Sequence, residues 1–66
     1  MESVEEMNNY ELIKSTIEEF SRLQSYMELC DEASAAYKLM KPRYIELKVL
    51  LTSMGINLTE LDVIKK

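Results

Sequence analysis

The stretch YKLMKPRYIEL, residues 37–47, decides the fold, and it contains the chain's only proline. Apolar residues recur at Tyr37, Met40, Tyr44, Leu47, Leu51 and Met54. That rhythm of three and four residues marks one face of a helix. Mid-helix, Pro42 removes an N–H donor, crowds the carbonyl four residues back, and costs about 3 kcal/mol. It also biases Lys41 away from helical geometry. A break at Pro42, however, would not need to keep the rhythm in phase, and the phase is kept on both sides. The reading is therefore one continuous helix kinked at Pro42.

Leu39, Ile45, Val49 and Leu50 lie off this face, so the second helix is apolar over a wider arc than one partner helix can cover. It is expected to be central, or to be buried against a second copy of the chain.

Upstream, a second rhythm runs through Tyr10, Ile13, Ile17, Phe20, Gln24 and Met27. Ser3-Val4-Glu5-Glu6 has the pattern of a capping box, and a first helix is expected over residues 3–29. Glu18 and Arg22 are spaced for an i,i+4 pair on its outer side. Gln24 interrupts the apolar face. It is either a hydrogen-bonded polar residue or a register-setting polar layer. The phase slips between 29 and 34, where a turn is expected, with Asp31 and Ser34 both suited to cap the next helix. Gly55 has the position of a left-handed helix terminator, with Ile56 ready to pack back. Asn57-Leu58-Thr59-Glu60 resembles a further cap, so a short third helix is expected over residues 58–65. The fold class is all-α: an antiparallel two-helix hairpin with a short C-terminal third helix, in a single domain over residues 1–66.

Composition agrees. Hydrophobic residues make up 47% of the 66, with one Gly and one Pro, which leaves little for loops and too much apolar surface for disorder. A chain this small has a marginal core and usually needs disulfides, a metal or self-association. Cys30 is the only cysteine and there is no histidine, so neither an intrachain disulfide nor a Cys/His zinc site can form. Good helix packing or oligomerisation remains, and a homodimer, with a four-helix bundle as its form, is expected. A lone thiol without a leader or a long apolar run suits the cytoplasm.

The chemistry that can be excluded is informative. Without histidine there is no ordinary proton shuttle, and no nucleophile, base and orienter can be assembled. No catalytic, cofactor-binding or metal-ligating residues are expected, and the protein is read as non-enzymatic.

Charge is unevenly divided: nine acids and two bases fall in residues 1–33, three acids and six bases in 34–66, within a net −4. The plainest reading is an acidic helix packed against a basic one. Lys38, Lys41, Arg43 and Lys48 are the candidate anion or nucleic-acid contacts. Residues 49–66 also have the outline of a helix-turn-helix. Acids at Glu60 and Asp62 in the would-be recognition helix count against it. Glu11, Glu18 and Glu28 form a candidate acidic face for a partner, as in an inhibitor of a nucleic-acid-binding enzyme. Tyr26, Tyr37, Met40, Tyr44, Ile45, Val49 and Leu50 are the candidate oligomer or partner interface. The favoured function is a small interaction protein, a cytosolic regulator or adaptor of bacterial or phage type, working through helix–helix contacts with itself and a further protein. A nucleic-acid-binding regulator and an acidic inhibitor are the alternatives.

Overall fold

A computed structural model describes residues 9–65. Two helices account for most of them: α1, Asn9–Glu28, and α2, Ala35–Ser53. No strand occurs among the described residues. The expected capping box at residues 3–6 lies outside them. The helices are antiparallel: Met27 near the end of α1 lines one cavity with Tyr37 near the start of α2, whereas Phe20, earlier in α1, meets Tyr44, later in α2. Glu19 meets Arg43, and Phe20 stacks on Tyr44 with ring centroids 5.7 Å apart.

The turn falls where the phase slipped; of the two expected caps Ser34 is the one used, and Asp31 closes the turn before it. The Asp31 carboxylate accepts from the Ala33 N–H at 3.0 Å, and the Asp31 carbonyl accepts from the Ser34 N–H at 2.9 Å. Ser34 is the N-cap of α2: its backbone is extended and its hydroxyl accepts from the Tyr37 N–H at 3.1 Å. This satisfies one of the free donors at a helix start.

α2 remains helical through Pro42. Both sides of the proline are anchored by the same buried face, Tyr37 before it and Tyr44, Leu47 and Leu51 after it. Burying four large side chains offsets the local penalty, at about 1.5–3 kcal/mol for each fully buried apolar side chain. The helix ends as expected. Gly55 has φ +83°, its N–H donates to the Thr52 carbonyl, and the Ile56 N–H donates to the Leu51 carbonyl at 3.0 Å. This paired closure is the Schellman motif, which favours glycine at the left-handed position.

The core joins Phe20 and Met27 of α1 to Tyr37, Tyr44, Leu47 and Leu51 of α2. Tyr10, expected on the buried face, is exposed, so the buried part of the first rhythm begins deeper in the helix. Glu18 pairs with Lys14 at 3.4 Å instead of Arg22.

The expected third helix at 58–65 is not formed. Residues 56–65 make a strap of turns laid over the two helices, with Ile56, Leu58, Leu61 and Ile64 packed against the core. One helical bond forms, from the Asp62 N–H to the Leu58 carbonyl at 2.9 Å. The next donors go elsewhere. The N–H groups of Val63 and Ile64 donate to the Gln24 side chain, and that of Lys65 to the Asp62 carboxylate. The Leu61 carbonyl, which helix continuation would give to Lys65, accepts from Gln24. Side chains have captured the groups a helix needs, so it stops after one turn.

Candidate interaction surfaces

Two surfaces result: a strap site inside the chain and an apolar face outside it. The strap site has two parts. Gln24 is buried to 1% exposure. Its Nε2 donates to the Leu61 carbonyl at 2.8 Å, while its Oε1 accepts from the N–H groups of Val63 at 2.7 Å and Ile64 at 3.0 Å. One amide thus satisfies three backbone groups that would otherwise be unpaired at the edge of the core.

The second part is built on Asp62, also buried. Its Oδ1 accepts from the Tyr44 hydroxyl and from the Lys65 N–H, and its Oδ2 faces the Lys48 ammonium at 3.0 Å. Lys48 also lies over the Tyr44 ring, 4.9 Å from its centroid. Burial pushes the Asp62 carboxyl up, but the Tyr44 hydroxyl, the Lys65 N–H and Lys48 outweigh it, so the group sits below the ordinary aspartate value. The hydrogen bond to Asp62 raises Lys48 in turn. Asp62 is therefore a charged carboxylate at neutral pH, held by three donors.

This site divides the expected basic cluster. Lys48 is engaged with Asp62. Arg43 bridges the helices, donating to Glu19 at 2.8 Å and to Glu46 at 2.7 Å, and both carboxylates raise its pKa, Glu46 the more. Lys38 is exposed and Lys41 half-buried. The four cations therefore do not form one open surface. Glu11, Glu18 and Glu28 are all exposed on α1, with Glu18 paired to Lys14.

The expected interface residues also divide. Tyr37 and Tyr44 lie in the chain's own core and Met40 is half-buried against it. Little of Tyr37 and none of Tyr44 is open to solvent. Tyr26, Ile45, Val49 and Leu50 are exposed. Leu39 joins them at 80% exposure and Val49 reaches 64%. At about 100° per residue, Ile45 and Val49 share one strip of α2 and Leu39 and Leu50 another, about 110° round the helix. Beside Val49, a groove of about 480 Å³ runs between Thr52, Ser53 and Leu58.

Sequence reasoning missed the strap site. Gln24 stood out as polar on an apolar face, but nothing local indicated a partner 37–40 residues away. Asp62 reads in the sequence only as an acid of the expected third helix. The Tyr37 hydroxyl is buried without a hydrogen-bond partner among the described residues.

No group of three or more His, Cys, Asp or Glu residues that could hold a metal occurs among the described residues. No helix there is long and apolar enough to cross a membrane. Comparison with family models, with curated proteins and with solved structures gives no match.

Proposed function

We propose that the chain is a small non-enzymatic interaction protein whose docking surface is the outward face of α2 and whose first partner is a second copy of itself. One observation carries this reading. α2 satisfies its buried face within the chain and still leaves Leu39, Ile45, Val49 and Leu50 open to water. Exposed apolar residues scattered singly need no explanation, but four on the outward arc of one helix offer a partner two apolar strips. A 66-residue chain also gains most from association, because its own core is small. A bend at Pro42, in the middle of this face, would curve α2 around its partner. The lone thiol suits a reducing compartment, and we place the protein in the cytoplasm as a regulator or adaptor.

Sedimentation across a wide concentration range tests the reading. The expected result is a dimer that Val49→Asp converts to a monomer with unchanged helicity, since an exposed substitution alters folding by no more than about 0.5 kcal/mol. A folded wild-type monomer at every concentration overturns it. The nucleic-acid alternative is weakened by the internal pairing of Arg43 and Lys48, which leaves Lys38 and Lys41. Salt-sensitive retention on DNA that Lys38→Gln and Lys41→Gln abolish would restore it.

A further inference from the structure

The spacing of one strip of α2 reads the same in both directions. Leu39, Arg43, Glu46 and Leu50 follow one another at intervals of four, three and four residues. At about 100° per residue they fall within about 60° of the helix surface. All four are exposed. A leucine stands at each end. A charge stands at each inner position, basic on the N-terminal side and acidic on the C-terminal side. Arg43 donates to Glu46 at 2.7 Å, so the middle of the strip is an ion pair laid along the helix axis. Glu19 of α1 accepts from the same guanidinium at 2.8 Å and helps to hold it there.

This order of residues selects the direction in which a second copy can lie on the strip. When a second α2 lies antiparallel, centre to centre, Leu39 of each copy meets Leu50 of the other and Arg43 of each meets Glu46 of the other. The two ion pairs then stack head to tail, giving four charges of alternating sign between two leucine contacts. When the second α2 lies parallel, arginine is set against arginine and glutamate against glutamate, and such like-charge pairs are costly at an interface. In the single chain an exposed ion pair contributes little to stability. Between copies it sets direction and register.

We propose that two copies of the chain associate through this strip, α2 against α2 and antiparallel. The occupant is a second copy because the strip is complementary to itself, which is the requirement of a two-fold interface. The proposal rests on the dimer reading above and deepens it by naming the strip, the direction and the register. Val49, about 90° round the helix from the centre of the strip, lies at the edge of the contact.

The test places one cysteine at either end of the strip, in full-length chains that carry Cys30→Ser. Leu39→Cys chains and Leu50→Cys chains, one of them mass-tagged, are oxidised separately and as a mixture. A disulfide needs Cα atoms within about 7 Å of each other. In the antiparallel dimer position 39 of one copy lies opposite position 50 of the other, while like positions are about 16 Å apart along the axis. The expected result is a linked mixed pair, and no linked pair in either chain alone. Linked pairs in each chain alone, without a mixed pair, overturn the proposal, and so does the absence of any linked pair. Glu46→Arg, in chains that keep Cys30 and both leucines, gives a second measurement. Sedimentation should show dimerisation weakened about tenfold or more, and recovered when these chains are mixed with Arg43→Glu chains. A Glu46→Arg chain that dimerises as tightly as wild type overturns the strip. If Val49→Asp still dissociates that dimer, the wider reading of the α2 face stands without it. A wild-type chain that is monomeric at every concentration overturns both.

Discussion

Two segments follow a helix in this molecule, and they are held in different ways. The turn between the helices, residues 29–34, is closed by neighbours. Asp31 and Ser34 reach only two or three residues along the chain. The strap, residues 56–65, is held by Gln24, Tyr44 and Lys48, which lie 14 to 40 residues away in sequence. Both segments satisfy backbone groups with short polar side chains. The turn can do so before the protein folds, whereas the strap's partners are in place only after α1 and α2 have paired. The first segment reports local chemistry and the second reports packing.

The contrast can be tested by breaking each segment. Gln24→Leu should have the largest effect, because it leaves the Leu61 carbonyl and the N–H groups of Val63 and Ile64 without partners. A loss of about 3 kcal/mol is expected, limited by release of the strap into water. Hydrogen exchange should show Val63 and Ile64 losing protection while mid-α2 amides exchange only as fast as the lower global stability requires. Equal loss of protection everywhere would mean that the strap and the hairpin are one cooperative unit.

Tyr44→Phe should follow at about 2 kcal/mol, since it removes a hydrogen bond to a charged, buried carboxylate and keeps the ring stacked on Phe20. Tyr37→Phe supplies the control. Its hydroxyl has no partner among the described residues, so its removal should be neutral or slightly stabilising in urea unfolding. Equal losses from the two substitutions would contradict this assignment of the hydroxyls.

Acid should loosen the strap. The Asp62 carboxyl is held below its ordinary value, so its contribution is present above that value and is lost as the pH falls through the lower, folded-state one. Lys48 is raised, so its part is present below the ordinary lysine value and fades as the pH rises through the folded-state one. The latch is therefore complete through the neutral range. Asp62→Asn should flatten the acid side of the stability profile, measured by urea unfolding at successive pH values. An unchanged acid slope would mean that other carboxylates dominate.

Ser34→Ala should have the smallest loss, about 1 kcal/mol, the usual worth of an N-cap. It should lower the protection of the first turn of α2 and leave the strap bound.

Much of this fold was legible in advance. The rhythm from Tyr37 to Met54 located α2 and carried it through Pro42, because helical phase is a property of the chain itself. Ser34 and Gly55 marked the ends of α2, and Asp31 the turn before it, for reasons that operate within a few residues. The residues off the rhythm, Leu39, Ile45, Val49 and Leu50, were read as surplus apolar surface and are exposed. Tyr37, Met40 and Tyr44 were assigned to a partner surface because composition cannot tell which of two apolar arcs faces α1. The strap was misread as a helix because Asn57-Leu58-Thr59-Glu60 has good cap chemistry and nothing local opposes it.

By itself, the sequence determined the number of long helices, the turn that joins them, the caps that bound α2 and the phase of the buried faces. Each depends on chemistry within one or two helical turns. Only the tertiary structure decided the course of residues 56–65, the role of Gln24 and the burial of Asp62. Backbone donors and acceptors must be satisfied somewhere, and competing partners from distant parts of the chain exist only once the helices have met.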